Sequence, residues 1–313
     1  MASSAAGLPV EMTGKPLPSL AMQVHLVDGT YELFRYHFAP NNRDLHRGAT
    51  VGVVTTLLQL VADGATHVGI ATDHVIESFR NDLWPGYKTS AGMPRELLAQ
   101  FPLVEDAMAA AGFVVWPQVE LEADDGLATA AVVAAGDNRV EQVVICTPDK
   151  DLGQCVGGKV VQLDRRKGLV LDEAGVEARL GVPPASIPDL LALVGDSADG
   201  FPGLAGWGAK SAAAVLRRWG HLESIPADPV TWDAGVRGAA KLNAVLRNEF
   251  ELALLFRRIA TVETDAPVSD SVDDLRWVGP PDPAGFEELC EQLDARRLRD
   301  RMAQVTDLAA SRA

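Results

Sequence analysis

The chain has 313 residues, 47% hydrophobic and 23% charged, enough to bury a substantial core and typical of one large or two small globular domains. Its net charge of −15, from 28 Lys and Arg against 43 Asp and Glu, argues against a uniformly basic nucleic-acid binder, and no run approaches the ~18–20 apolar residues of a membrane span. The 3 cysteines, Cys146, Cys155 and Cys290, have neither CxxC nor Cys/His ligand spacing, which argues against a disulfide framework and fits a reducing, cytoplasmic setting.

Residues 1–21 are rich in Ser, Ala, Gly and Pro and lack a basic segment leading into an apolar one, so they read as a flexible tail rather than a signal peptide. MQVHLVDG then reads as a buried strand ended by Asp-Gly, TVGVVTTLLQLVADG as a helix closed by glycine, and THVGIATD as a second strand. SFRNDLWPGYKTSAGMP is polar, aromatic and broken by Gly and Pro, before ELLAQFPLVEDAMAAAG returns to helical spacing and FVVWPQ gives a short strand. DGLATAAVVAAG is a helix opened by Asp124 and Asp125, EQVVICTPD a strand, and GKVVQLDRRKGLVLD a hairpin-like pair. The βα alternation predicts an α/β fold with a central, mostly parallel sheet flanked by helices over residues 22–171. From residue 172 to 313 the pattern is helical and predicts a helical subdomain followed by C-terminal helices.

Carboxylates recur where the apolar runs stop: Asp28 after VHLV, Asp73 after VGIAT, Glu122, Asp124 and Asp125 in ELEADD, Asp149 and Asp151 in TPDKD, and Asp196 and Asp199 in VGDSADG. Each alone suits a turn or a helix cap. Their coincidence at the carboxyl ends of parallel strands, where such sheets bind ligands, predicts an acidic pocket that needs a cation. Oxygen ligands without His or Cys suit Mg²⁺ or Mn²⁺. A pair of such ions serves phosphodiester hydrolysis.

In FPGLAGWGAKSAAAVLRRWG, Gly203, Gly206 and Gly208 precede a predicted helix beginning near Ala209, with Lys210 and Ser211 in its first turn. Backbone N–H groups at such a start can cradle phosphate; glycines that merely permit a tight interhelical turn are the alternative. Ala209 between Gly208 and Lys210 excludes a P-loop, and Leu26 in LVDGT excludes an aspartyl-phosphate nucleophile. Other basic clusters are Arg165, Arg166 and Lys167, and Arg296, Arg297, Arg299 and Arg301.

LVDG, SFR followed by GYK, ELEADD, TPDKDL and GDSADGFPGLAGWGAKSA, in this order, resemble the bacterial 5′ nucleases: the 5′-3′ exonuclease domain of DNA polymerase I and stand-alone flap endonucleases. The resemblance covers roughly residues 22 to 300 and, with no polymerase segment after it, is to the free-standing type. It implies a PIN-like nuclease core, a helix-three-turn-helix at GLAGWGAKSA, and an arch over about 79–100. Asp28, Asp73, Glu122, Asp124, Asp125, Asp149, Asp151, Asp196 and Asp199 match the family's carboxylates for two Mg²⁺ or Mn²⁺ ions, a third being left open. Asp124, Asp149 and Asp151 are expected nearer the first ion, and Asp196 and Asp199 nearer the second.

By the same resemblance Arg80 and Lys88 reach the scissile phosphate, Tyr87 stacks on the 5′ nucleotide, and Arg35 contacts DNA. The glycine turn with Lys210 and Ser211 holds duplex phosphates, often with K⁺. The implied partners are DNA with a 5′ end or flap, with a polymerase and a ligase nearby; the protein is expected to be a monomer off the membrane. A PIN-like ribonuclease and a catalytically weak DNA-junction module are the alternatives. Two departures stand out: TSAGMP follows GYK where relatives place another Arg or Lys, and Gly200 follows Asp199 where Asn is usual.

Overall fold

The computed structural model describes residues 22–232 and 235–312. The expected tail, residues 1–21, lies outside the described residues. The first half runs β1 (Met22–Asp28), α1 (Gly29–His37), α2 (Gly48–Ala62), β2 (His67–Asp73), α3 (Phe79–Leu83), α4 (Arg95–Leu98), α5 (Gln100–Ala110), β3 (Val114–Gln118), α6 (Ala123–Gly136), β4 (Val140–Cys146), β5 (Val160–Asp164) and β6 (Leu169–Leu171). The six strands form one sheet in the order β3-β2-β1-β4-β5-β6, parallel throughout except for β6, which closes the expected hairpin against β5.

Strand alternation sends neighbouring side chains to opposite faces. Val27, Val68, Ile70, Val144 and Cys146 point into a core with Leu33, Val54, Leu57, Leu58, Phe101 and Met108. Val24, Leu26, Ala71, Val143 and Ile145 point the other way, onto Leu127, Ala130, Ala131 and Ala134 of α6. Helices on both faces explain why these strands read as nearly continuous apolar runs.

The strand order reverses between β1 and β4, since β2 and β3 lie on one side of β1 and β4 to β6 on the other. The crevice at the carboxyl ends of the strands therefore opens between Asp28, which ends β1, and the segment after Cys146, which ends β4.

Seven further helices follow: α7 (Glu173–Leu180), α8 (Ile187–Val194), α9 (Ala209–Trp219), α10 (Ala239–Asn248), α11 (Phe250–Ala260), α12 (Pro283–Gln292) and α13 (Arg296–Ala310). They divide between two cores. Residues of α7 to α11, with Tyr87, Val156 and Leu171, share their own apolar cluster around Phe201, Trp207, Leu216 and Phe256. In contrast, Phe286, Cys290, Leu298, Met302 and Val305 of α12 and α13 join the main core, α12 against α5 and α13 against α2. The helical second half is thus not one packing unit. Its last two helices cover the α/β core, and the Trp277 indole N–H donates to Ala111 O just before them, at 3.0 Å.

Candidate metal centre and nucleic-acid interface

The carboxylates meet at the crevice because β1, β2, β3 and β4 end there and the loop after α8 joins them. Asp28 caps α1, accepting from the Tyr31 amide at 2.7 Å with one oxygen and from Thr147 Oγ1 at 3.0 Å with the other. Asp73 Oδ1 accepts from the Ala123 amide at 2.7 Å, which ties β2 to the start of α6. Burial raises the Asp28 carboxyl to about 7, with Asp73 and Asp149 adding repulsion and the Tyr31 and Thr147 hydrogen bonds opposing it. Burial likewise raises Asp73 to about 6.

Glu122 and Asp125 form the inner wall. Asp125 is fully buried and accepts from both terminal nitrogens of Arg80 at 2.8 Å, from the Glu122 amide at 2.9 Å and from the Glu263 amide at 2.8 Å. Arg80, 3% exposed, also donates to Ile259 O at 2.8 Å and Thr261 O at 3.1 Å. This paired guanidinium is a rivet between α6 and the end of α11. It is not presented to the crevice, contrary to the expectation that it reaches a phosphate there. Asp125 in turn has its acceptor capacity spent inside the protein.

Glu122 accepts from Ser78 Oγ at 2.6 Å and from Tyr87 OH at 3.1 Å, and pairs with Lys88 Nζ at 2.9 Å. Burial would raise its carboxyl, but Lys88 and Arg80 outweigh it and hold it below the usual range. Tyr87 is buried in the helical core, so its ring offers no face for a stacking nucleotide in this arrangement.

The opposite wall is under-satisfied. Asp151, at the start of a 3₁₀ turn (Asp151–Cys155), leaves Oδ1 buried without a hydrogen bond. Oxygens of Asp151, Asp196 and Asp199 lie within 4.8 Å of one another. Asp124 sits next to saturated Asp125, yet none of the side-chain hydrogen bonds or ion pairs above involves it. Burial, with Asp149 and Asp28 nearby, pushes its carboxyl well above the ordinary range, and burial with Asp149 does the same to Asp151. Asp199 is also raised by burial, with Lys88 opposing. Asp149 is exposed at the mouth and receives the Asp151 amide at 3.0 Å. Such a gathering of desolvated carboxylates, more numerous than the cations beside them, is electrostatically costly without a further cation. The donor set, oxygen throughout with one orphaned buried atom, fits a hard divalent ion. Asp151, expected on the first-ion side, is grouped by geometry with Asp196 and Asp199.

Two lysines partly offset this charge. Lys88 Nζ bridges Glu122 and Asp199, the latter at 3.1 Å, and its backbone N–H donates to Asp199 O at 2.9 Å. Lys150, which the sequence reading passed over, pairs with Asp196 and lies 3.4 Å from Asp151. Its position between the two aspartates of TPDKD was the available signal. Ser78 and Thr147, which orient Glu122 and Asp28, were likewise missed; each stands close to a singled-out residue.

Residues 79–100 hold the short helices α3 and α4 with a pinned connection between them. Trp84 Nε1 donates to Gly200 O at 3.1 Å, Asn81 Nδ2 to Lys88 O at 3.0 Å, and Ser90 N and Oγ to Glu77 Oε1 at 2.8 and 2.7 Å. Gly200 has φ +82° and packs so close to the Gly86 carbonyl that a Cβ would collide with it.

The glycine turn lies beside this wall. Gly203 has φ +67° and no room for a Cβ against the Gly195 amide, and Gly206 has φ +84°. Gly208 precedes α9, its N–H donating to Ser211 Oγ at 3.2 Å while that hydroxyl donates back to Gly208 O at 2.9 Å. Lys210 is exposed at the first turn, where helix amides lack intrahelical partners. Arg35 is anchored by its Nε to Glu32 at 2.8 Å and lies over the Tyr36 ring at 4.3 Å, partly exposed on α1.

An α/β sheet with a crevice of carboxylates at its strand ends, beside a helical unit with a phosphate-cradle turn, is the architecture of nucleases acting on phosphodiesters. Residues 23–181 match the family model described as the 5′-3′ exonuclease N-terminal resolvase-like domain, and residues 182–283 that of the 5′-3′ exonuclease C-terminal SAM fold. The chain belongs to the 5′-3′ exonuclease family.

Among its relatives, DNA polymerase I of Mycobacterium leprae is 33% identical over 300 residues, 92% of this chain and 32% of that protein. The chain thus spans about a third of the length of the DNA polymerase I relatives it matches. The 5′-3′ exonuclease of Buchnera aphidicola is 29% identical over 82% of this chain and 86% of its own length. In fold, the chain resembles a mutant T5 5′-exonuclease (TM-score 0.59, 19% identity, 92% of this chain and 99% of that one). It also resembles the catalytic core of Rad2 in complex with a DNA substrate (TM-score 0.63, 15% identity, 94% and 95%).

Proposed function

We propose that the protein is a structure-specific 5′ nuclease that uses Mg²⁺ or Mn²⁺ to hydrolyse phosphodiester bonds at DNA 5′ ends and 5′ flaps. The observation that carries this reading is the Asp151, Asp196 and Asp199 cluster with its orphaned buried oxygen. Divalent ions held there and at Asp28, Asp124 and Asp149 would supply an activated water and charge neutralisation at the phosphate.

The chain's own groups do the rest. Lys88, between the two walls, is the cation placed to offset charge on a bound phosphate. Arg80 and Asp125 act behind it as positioning residues, fixing Glu122 and the first turn of α6. The start of α9, with Gly206, Gly208, Lys210 and Ser211, takes duplex phosphates without reading sequence, and Arg35 adds a basic contact on α1. A K⁺ ion at this turn is part of the proposal, tested by exchanging K⁺ for Na⁺ in duplex binding.

Removal of RNA primers and DNA repair, beside a polymerase and a ligase, is the setting we assign. Of the membrane, the structure says only that no described helix is long and apolar enough to cross one. Three unpaired cysteines fit a cytoplasmic site of action. The test is cleavage of an end-labelled 5′-flap duplex with Mg²⁺ by the protein and by Asp149→Asn plus Asp151→Asn. Loss of cleavage with retained folding is expected; unchanged cleavage rules the assignment out.

A further inference from the structure

We propose that Lys150 is the resident counter-cation of the Asp151, Asp196 and Asp199 cluster, an internal competitor that a divalent ion must displace before it can take these carboxylates. The inference rests on the reading of this cluster as a cation site.

The geometry is asymmetric. The Lys150 ammonium pairs with Asp196 Oδ2 and lies 3.4 Å from Asp151 Oδ1, the buried oxygen that has no hydrogen bond. A single ammonium therefore stands against two of the three residues whose carboxylate oxygens approach one another within 4.8 Å. Lys88 serves the third, Asp199, but it is shared with Glu122 and held by its own backbone bond to Asp199. It belongs to the wall. Lys150 has no comparable anchor: its side chain is 37% exposed and extends from the residue before the 3₁₀ turn. A lysine stem of this kind can swing its ammonium into water at small cost.

Without Lys150, Asp151 and Asp196 would face each other with the Ala198 amide 2.8 Å from Asp196 Oδ1 and no ammonium in contact with either. The lysine thus offsets the charge of the cluster and weakens cation binding by having to leave.

The test measures Mn²⁺ binding by electron paramagnetic resonance, and melting temperature in chelator, for the wild type, Lys150→Met, Lys150→Gln, Lys150→Arg and Asp196→Asn. Both neutral variants are expected to bind Mn²⁺ about tenfold more tightly, on the order of the effect of one charge at contact distance in a hydrated pocket, and to melt lower without metal. Lys150→Arg should keep wild-type affinity. Unchanged or weaker Mn²⁺ binding in the neutral variants, with Asp196→Asn still reducing binding, overturns the role of Lys150 alone. Should Asp196→Asn leave Mn²⁺ binding untouched, the cluster reading fails and the inference falls with it.

Discussion

Asp124 and Asp125 are adjacent in the chain and opposite in condition. Asp125 is fully buried and holds four hydrogen bonds, two of them from Arg80; Asp124, about 100° further round the same helix, faces the crevice among Asp28, Asp149 and Asp151. The same contrast divides the whole site. The inner wall of Glu122, Asp125, Arg80 and Tyr87 is tied together by hydrogen bonds and ion pairs, whereas the outer carboxylates outnumber the cations beside them: Lys150 faces Asp151 and Asp196, Lys88 is shared between Asp199 and Glu122, and Asp151 Oδ1 has no hydrogen bond. A site of this design needs both: a satisfied wall that fixes geometry and a less satisfied one that holds charge for a ligand.

The sharpest way to break this comparison is the pair Asp125→Asn and Asp124→Asn. Asp125→Asn leaves Arg80 buried and poorly paired, which should cost about 3–5 kcal/mol of stability, read by denaturant unfolding. Asp124→Asn should instead raise the melting temperature of the metal-free protein by a few degrees while lowering flap cleavage roughly 10²–10³-fold. If both variants destabilise alike, the two residues do not differ as described.

A second effect follows from pH. Asp28, raised to about 7, and Asp73, raised to about 6, hold protons in the folded state that the unfolded chain releases above its ordinary value of 3.8. The metal-free protein should therefore lose stability as pH rises from about 4 through 7, because the folded state binds the more protons in that window. Excess Mg²⁺ should flatten or reverse this slope. A metal-free protein whose stability rises across the same window would contradict the picture of desolvated, mutually repelling carboxylates at the crevice.

Smallest is Tyr87→Phe, which keeps the ring in the helical core and removes only the hydroxyl bond to Glu122. A loss of about 1.5–3 kcal/mol is expected, the range for a hydrogen bond to a charged group. The KM for a 5′-flap substrate should stay the same. A large KM change would restore the nucleotide-stacking role.

The strand ends were legible in the sequence because Asp28, Asp73 and Asp149 follow apolar runs, and runs of that kind with helices between them leave few options but a parallel sheet. The hairpin at Arg165–Gly168 and the glycine turn before Ala209 were legible for a similar reason, since turn chemistry is local. What was hidden depends on distant partners. Nothing near ELEADD marks which aspartate Arg80 will claim, and a Tyr in a polar stretch looks the same whether it faces solvent or, as Tyr87 does, the core. The coarse helical pattern after residue 172 announced C-terminal helices but not that α12 and α13 return to the α/β core, because an apolar face does not say what covers it.

The most direct measurement of the central claim is a crystal of the protein soaked in Mn²⁺ and read by anomalous scattering. The division between walls predicts metal density bonded to Asp124 on one side of the crevice and to Asp151, Asp196 or Asp199 on the other, with Asp125 still paired to Arg80. Manganese bonded to Asp125, or a crevice left empty at saturating Mn²⁺, would contradict it.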